Sequence, residues 1–200
     1  MAVDRWNQRF AGESYYFGTE PNAFLVSQRD RFRAGQRVLA VADGEGRNGV
    51  WLAKLGLEVL SVDFSPIALA KARKLAAAEG VSLATEEADL RSWDWGAARF
   101  DVVVAIFIQF ATPTERAAIF AGMKAALKLG GLLLLQGYGV RQLEYRTGGP
   151  SQIEHLYSAD LLRSAFADMK ILHLAEHVAE IHEGSGHNGL SALVDLVAQK

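Results

Sequence analysis

The stretch D-G-E-G-R-N-G (Asp43–Gly49) decides the fold class of this chain. The apolar run V-L-A-V-A (Val38–Ala42) precedes it, and V-W-L-A-K-L (Val50–Leu55), whose apolar residues have helical spacing, follows it. A strand, a glycine turn and a helix in this order bring the backbone close to a nucleotide-like ligand. The sequence therefore predicts the first unit of an α/β fold with a parallel sheet.

The spacing of the glycines is that of a dinucleotide-binding loop. Gly44, Gly46 and Gly49 fit the pattern G-x-G-x-x-G, and Asp63 ends the next predicted strand, near where a ribose-binding carboxylate is expected. On spacing alone, the loop predicts NAD. A dehydrogenase would also need a separate region for its substrate, and the sequence leaves no such region outside the predicted core.

The charges of the loop favour a different ligand. Asp43 and Glu45 flank Gly44. At roughly 5 Å and an effective dielectric constant near 20, each carboxylate would cost a unit of phosphate charge about 3 kcal/mol, whereas the helix N-terminus returns only about 0.3–2 kcal/mol. S-adenosylmethionine has no phosphate and carries a sulfonium, an ammonium and one carboxylate. The acids therefore favour S-adenosylmethionine over a dinucleotide.

The composition excludes several classes of protein. The chain has 200 residues, half of them apolar, a formal net charge of −2 and no cysteine, so it has no disulfide, thiolate metal site or cysteine nucleophile. The longest apolar run, Val102–Phe110, is far shorter than the roughly 20 residues that span a bilayer. The compact basic cluster of Lys71, Arg73 and Lys74 is predicted to be a solvated helix face. We therefore expect a cytoplasmic protein without nucleic-acid or membrane partners.

The rest of the chain alternates between strand-like and helix-like segments. The further predicted strands are Leu57–Asp63, Val81–Ala88, Phe100–Phe110, Leu132–Gln136, Ile171–Ile181 and Leu190–Ala198. Ser65 and Thr112, each followed by proline, are predicted helix caps. Only His182–Gly189 separates the last two strands, too short a link for a crossover helix. The predicted fold is α/β and Rossmann-like, with a mostly parallel seven-stranded sheet and a C-terminal antiparallel hairpin.

Three motifs and this order of elements resemble a known family. The motifs are W-N-Q-R-F-A-G (Trp6–Gly12), Y-F-G-T-E-P-N (Tyr16–Asn22) and G-E-G-R-N (Gly44–Asn48). The chain resembles the class I S-adenosylmethionine-dependent methyltransferases, and within them the small group similar to tellurite-resistance and thiopurine methyltransferases. The resemblance implies one methyltransferase domain over residues 1–200, with a helical and aromatic cover at 1–34 and a core at 35–200.

The glycine loop departs from the family pattern at three positions. Ala40 stands where the family has an acid, Ala42 replaces the first glycine, and Asp43 takes a place that is usually small or Cys. Ala42 is compatible with the loop if its φ is negative. Asp43 is the candidate to replace the missing acid as a partner of the cofactor's ammonium group.

The resemblance, with the rule that ligands sit beyond the carboxyl ends of parallel strands, implies the cofactor contacts. Asp63 would bind the ribose hydroxyls, and Asp63→Ala is expected to weaken cofactor binding while barely changing the melting temperature. Phe64 would pack on the adenine, and Arg47 would bind the cofactor carboxylate or form a surface ion pair. The predicted cofactor-binding residues are Asp43, Gly44, Gly46, Arg47, Asp63, Phe64, Asp89, Leu90, Ala105 and Tyr16. Tyr16 and Phe17 are expected to form an aromatic lid over the site.

The acceptor side is less defined, because in-line methyl transfer needs no dedicated base when the reactants are well positioned. The candidates are Tyr138, Arg146, His182 and His187, with Arg141 nearby. These residues favour a small, anionic or soft acceptor, bound by a monomer or homodimer. H-E-G-S-G-H does not have the spacing of a zinc motif, so no metal is expected. The alternatives are an NAD-linked oxidoreductase and a cofactor-binding module without transfer activity.

Overall fold

The computed structural model describes residues 2–200, with side chains from residue 5 onwards; residues 1–4 of the predicted cover fall outside the described side chains. The chain packs into two compact units. The N-terminal unit contains the residues up to Trp93 together with Glu183–Gly186, and the C-terminal unit contains Asp94–His182 and His187–Lys200. The single methyltransferase domain over 1–200 stays a prediction.

Seven strands form one sheet. They are β1 (Arg37–Val41), β2 (Glu58–Asp63), β3 (Ala84–Glu87), β4 (Phe100–Ile106), β5 (Leu127–Tyr138), β6 (Lys170–Glu183) and β7 (His187–Gln199). The strand order is β3-β2-β1-β4-β5-β7-β6. Strand β2 pairs in parallel with β1 and β3, β4 pairs in parallel with β5, and β7 is antiparallel to β5. The predicted fold class is confirmed.

The helices of the N-terminal unit are α1 (Ala2–Phe10), α2 (Ala23–Ser27), α3 (Arg47–Lys54) and α4 (Pro66–Ala78), with a 3-10 turn at Arg29–Arg31. Two of these helices, α2 and α4, begin at residues whose side chains cap them. The Oγ of Ser65 accepts a hydrogen bond from the Ala68 amide, with Pro66 at the first helical position, as predicted. The side-chain oxygen of Asn22 caps α2 in the same way, through the Leu25 amide.

The C-terminal unit contains α5 (Pro113–Ala126), α6 (Gln142–Tyr145), a 3-10 turn (Ile153–His155) and α7 (Ala159–Ala165). Thr112 and Glu115 form the predicted capping box at the start of α5. Strand β4 is buried along nearly its whole length, as a central parallel strand should be. None of the helices in the described part of the chain is long and apolar enough to cross a membrane.

Several predicted boundaries are wrong for identifiable reasons. Strand β4 was expected to continue to Phe110 but ends at Ile106, where Phe107 takes a φ of +55° and breaks the extended backbone. Strand β5 begins earlier than predicted because Leu127 already pairs with Phe100 across an irregularity in the register. Strand β3 is shorter than predicted, because its pairing with β2 begins only at Ala84.

Candidate functional site

The glycine loop is tied to the carboxyl end of β2. The Gly44 amide donates a 2.9 Å hydrogen bond to Oδ2 of Asp63, and the Ser65 amide donates a 2.9 Å bond to Oδ1 of the same carboxylate. The Asp63 residue is only 4% exposed. Burial raises the pKa of the Asp63 carboxyl group, and the backbone hydrogen bonds oppose this rise. Asp63 thus fixes the loop and the first turn of α4 before any ligand is considered.

Ala42 lies in the left-handed region, with a φ of +47°, so the condition of a negative φ, under which alanine would fit the loop without strain, is not met. The chain turns sharply as it leaves β1, and the Asp43 amide then donates to the Val62 carbonyl at 3.3 Å. An L-residue in this region costs about 1–2 kcal/mol that glycine would not. Backbone strain of this kind is common at functional sites.

The Asp43 carboxylate is used inside the loop. It accepts hydrogen bonds from the Gly49 amide, 3.2 Å from Oδ2, and from Ser61 Oγ at 2.9 Å. Burial raises the pKa of Asp43 to about 7, helped by the charge of Asp63, while the two hydrogen bonds and Arg47 act in the opposite direction. Asp43 therefore joins the first turn of α3 to β2. Its role toward the cofactor's ammonium group stays a prediction.

Glu45 and Lys71 form a buried ion pair beside the loop. The Glu45 side chain is 2% exposed and the Lys71 side chain 14% exposed. The prediction that Lys71 belongs to a solvated helix face is therefore wrong. Lys71 Nζ also donates to the Ser14 carbonyl at 2.7 Å, and Glu45 Oε2 accepts from the Tyr16 amide at 2.7 Å. Because Lys71 compensates the charge of Glu45, the electrostatic argument against a pyrophosphate rests on the remaining loop acid, Asp43, and on Asp63.

Aromatic residues of the N-terminal segment lie against the glycine loop. A methyl group placed on Gly44 would lie 3.7 Å from Cζ of Phe10. The rings of Trp6 and Phe10 are stacked at 5.6 Å, and Phe17 lies 6.4 Å from Phe10. Asn7 Oδ1 accepts a 2.5 Å hydrogen bond from Ser65 Oγ. We name Trp6–Asn22 the cover segment; its function as a lid stays a prediction.

Arg47 forms a buried ion pair. Its Nη2 lies 2.6 Å from Oε2 of Glu183, with both side chains at most 10% exposed, and its Nη1 donates to the Glu20 carbonyl at 3.3 Å. Of the two predicted roles, the structure shows the ion pair, in the interior and not on the surface. Sequence reasoning did not select Glu183, although it is the glutamate of the quoted H-E-G-S-G-H motif.

The other predicted contacts lie at strand or helix ends. Phe64 is partly exposed and Leu90 is buried. The Asp89 carboxylate accepts hydrogen bonds from the guanidinium and the amide of Arg91, and these bonds lower the pKa of Asp89. Gly46 has a φ of +86°, and a Cβ there would lie 2.6 Å from Cβ of Ala72, so close packing of the loop on α4 already requires glycine.

In the C-terminal unit, Tyr138 and His187 come together with Phe107. The ring of Phe107 lies 4.7 Å from that of Tyr138 and 4.3 Å from that of His187. Tyr138 is 1% and His187 8% exposed. We call Phe107, Tyr138 and His187 the aromatic cluster. Phe107 follows the carboxyl end of β4, the strand that contains fully buried Ala105.

The remaining acceptor candidates are exposed. His182 hydrogen-bonds through Nδ1 to Asn188 Oδ1 at 2.8 Å. Arg146 ends α6 with a φ of +55°, and Arg141 binds Glu144 and Tyr145 within its own turn. Among the residues that the structure describes, no three His, Cys, Asp or Glu side chains are grouped to hold a metal ion.

Comparison with known proteins finds a methyltransferase family that matches part of the chain. A family described as a methyltransferase domain matches residues 38–131, which contain the glycine loop and Asp63. Residues 38–131 are therefore similar to a methyltransferase domain. This chain is 37% identical over 87 residues to an uncharacterised protein of Mycobacterium tuberculosis, and the match covers 43% of this chain and 32% of the relative. Hemagglutinin 1 of Eikenella corrodens is 29% identical over 152 residues, 73% of this chain and 48% of that protein. The matches thus span about a third to a half of these relatives.

Solved structures with the same fold cover nearly all of this chain. A protein from echinomycin biosynthesis, where a disulfide bond is converted into a thioacetal group, superposes with a TM-score of 0.82 at 19% identity, over 100% of this chain and 92% of its own. The N-methyltransferase NodS from Bradyrhizobium japonicum, in complex with S-adenosyl-L-homocysteine, superposes with a TM-score of 0.76 at 12% identity. The superposition covers 99% of this chain and 97% of NodS. TehB from Haemophilus influenzae superposes with a TM-score of 0.73 at 18% identity, over 99% of this chain and 66% of TehB. At these identities the likeness establishes the fold.

Proposed function

We propose that the chain is an S-adenosylmethionine-dependent methyltransferase that acts on a small acceptor. The observation that carries this proposal is the hydrogen bond from the Gly44 amide to Asp63, which joins the loop after β1 to the carboxyl end of β2. In an α/β sheet this is where ligands bind. The match of residues 38–131 to a methyltransferase domain supports the same assignment.

The groups around the loop fit this cofactor. The carboxylate of Asp63 accepts from the Gly44 amide on Oδ2 and from the Ser65 amide on Oδ1, and a carboxylate oxygen has a further lone pair that can accept from a ribose hydroxyl. In their ionised forms the buried carboxylates of Asp43 and Asp63 disfavour a phosphate, and they suit a ligand with a sulfonium and an ammonium group, whose positive charge favours ionisation. The rings of the cover segment suit a cation, with a gain of about 0.5–2 kcal/mol per contact.

When bound, S-adenosylmethionine supplies a methyl group already activated by a positively charged sulfur. The protein's task is then to hold the two reactants in line, which supplies about 7–11 kcal/mol without a dedicated base. Asp63 would fix the ribose, and Gly44 would let the backbone approach the methionine part. The cover segment, through Phe10 and Trp6, would exclude water from the loop.

For the acceptor, the aromatic cluster supports a small, soft group such as a thiol more than an oxyanion. Arg141, which would suit an oxyanion, is engaged by Glu144 and Tyr145, and Arg146 is exposed. The cluster offers the polarizable rings of Phe107 and Tyr138 and the imidazole of His187. The fold is shared with the echinomycin protein, whose reaction is at sulfur. Small thiols therefore head the acceptor set, followed by oxyanions and amines.

Calorimetric titration tests the cofactor. We expect micromolar binding of S-adenosylmethionine and S-adenosylhomocysteine and no binding of NADH; tight NADH binding without either sulfur ligand would support the oxidoreductase instead. Formation of S-adenosylhomocysteine over the acceptor set then tests transfer. Binding without product for every acceptor, including extracts of small metabolites, would support a cofactor-binding module without transfer activity.

A further inference from the structure

The turn between β6 and β7 contacts the cover segment and the glycine loop within the N-terminal unit. We name Glu183–Gly186 the hairpin tip. The amides of Ser185 and Gly186 donate to the Tyr16 carbonyl at 2.9 and 3.3 Å. The Glu183 carboxylate binds Arg47 at the start of α3 through Oε2 and the Asn22 amide nitrogen, Nδ2, through Oε1 at 2.9 Å. Residues from both ends of the chain thus meet at one carboxylate.

Asn22 extends this network to the helix that follows the glycine loop. Its backbone amide donates to Asn48 Oδ1 at 2.9 Å, and the residue is only 2% exposed. Arg47 and Asn48 are the first two residues of α3. The side chains of Asn22, Arg47 and Glu183 therefore connect the cover segment, the glycine loop and the hairpin tip.

The glycines of the hairpin tip allow its close approach to the cover segment. A Cβ on Gly184 would lie 2.4 Å from the Tyr16 carbonyl oxygen, and a Cβ on Gly186 would lie 2.3 Å from a ring carbon of Phe17. Real Cβ atoms do not approach other atoms so closely, so any side chain at either position would push the tip away. The tip is shaped to fit the cover segment.

We propose that Glu183 is a positioning residue of the cofactor site. Through Arg47 and Asn22 it fastens the hairpin tip to the cover segment and to α3, and so holds the cover segment over the glycine loop. The sequence had placed this turn at the acceptor. The inference rests on the proposed function for its link to S-adenosylmethionine, whose exchange would require this fastening to open.

Hydrogen exchange and cofactor dissociation test the proposal with matched variants. Glu183→Gln removes the charge, and Glu180→Gln is the control, because Glu180 lies on the same strand with its side chain 69% exposed. In Glu183→Gln without ligand, exchange of Ser185, Gly186 and the cover segment should rise at least tenfold, while β4 and β5 keep the wild-type protection. The dissociation rate of S-adenosylhomocysteine should also rise at least tenfold. Glu180→Gln should match the wild type in both.

A second variant covers the case in which Glu183→Gln does not fold. Gly186→Ala leaves the ion pair in place but sets a methyl group against the flexible rings of Tyr16 and Phe17, and it should produce the same local effects. Wild-type exchange and dissociation in the folded variants would overturn the proposal, as would faster exchange spread equally over β4 and β5. If the wild type binds no S-adenosyl ligand, the proposed function fails, and the exchange data alone decide whether Glu183 holds the cover segment.

Discussion

The Gly44 amide and the Asp63 carboxylate, joined at 2.9 Å, connect the loop after β1 to the end of β2. The sequence assigned Asp63 to the ribose of the cofactor and expected little effect of its removal on folding. Because the same carboxylate also accepts from the Ser65 amide in a buried setting, it is part of the folded framework as well. A substitution at Asp63 is therefore expected to change both the stability of the fold and the affinity for the cofactor.

Asp63→Asn should lower both stability and cofactor affinity. An asparagine has one acceptor oxygen, so its NH2 group would face either the Gly44 or the Ser65 amide, and one buried donor would lose its partner. We expect a loss of about 1–3 kcal/mol in the free energy of unfolding and at least a tenfold weaker affinity for S-adenosylmethionine, measured by urea denaturation and calorimetry. Because the Asp89 side chain is partly exposed, the free energy of unfolding of Asp89→Asn should stay within about 0.5 kcal/mol of the wild-type value. Weaker binding in Asp89→Asn than in Asp63→Asn would contradict this ranking.

Local patterns predicted the fold well. The strand-loop-helix unit, the caps at Ser65 and Thr112 and the antiparallel C-terminal strand depend on residues near one another in sequence or on link length, and each was confirmed. The left-handed conformation of Ala42 was not predicted, because alanine gives no signal for a positive φ.

The partners of charged side chains could not be predicted. Arg47 and Glu183 are 136 positions apart, and Lys71 and Glu45 are 26 apart, so no spacing rule relates them. Only the packed backbone brings these residues together. The signal that was available lay in the motifs themselves, since Asn22, Arg47 and Glu183 all fall within the quoted motifs.

Ala42→Gly should stabilise the protein. Glycine removes about 1–2 kcal/mol of left-handed strain, and the greater freedom of the unfolded chain offsets about 0.5–1 kcal/mol of this gain. The melting temperature should rise by about 2 °C. Ala98 has a similar φ of +51° in the C-terminal unit, so Ala98→Gly is the matched control. Both variants should melt later, but only Ala42→Gly should alter affinity for S-adenosylmethionine. A lower melting temperature for Ala42→Gly would show that the left-handed conformation of Ala42 is not strained.

Asp43 should make stability depend on pH. Its pKa is raised from 3.8 to about 7 by burial, so between these pH values the folded state binds more protons than the unfolded chain. The contribution of Asp43 to the free energy of unfolding therefore falls as pH rises from about 4 to about 7 and is constant above. The free energy of unfolding of Asp43→Asn minus that of the wild type, measured by urea denaturation, should therefore increase by about 2–4 kcal/mol between pH 4 and pH 8. Asp30→Asn, at an exposed residue, should show no such gain. A constant difference for Asp43→Asn would show that burial does not perturb this group.

His187 is the acceptor candidate that the structure places in a defined environment, against the rings of Phe107 and Tyr138. His187→Phe keeps an aromatic ring of similar size but removes both nitrogens, so stability should stay within about 1.5 kcal/mol of the wild type. We expect at least a tenfold fall in kcat/KM for the best acceptor, with the Kd of S-adenosylmethionine within twofold, because the change affects the acceptor alone. The sequence predicts the same kind of effect for Arg146→Ala, which should be smaller because Arg146 is exposed. Steady-state kinetics and calorimetry on both variants measure this. Normal transfer by His187→Phe, or a protein or nucleic acid as the true acceptor, would show that the aromatic cluster does not bind the acceptor.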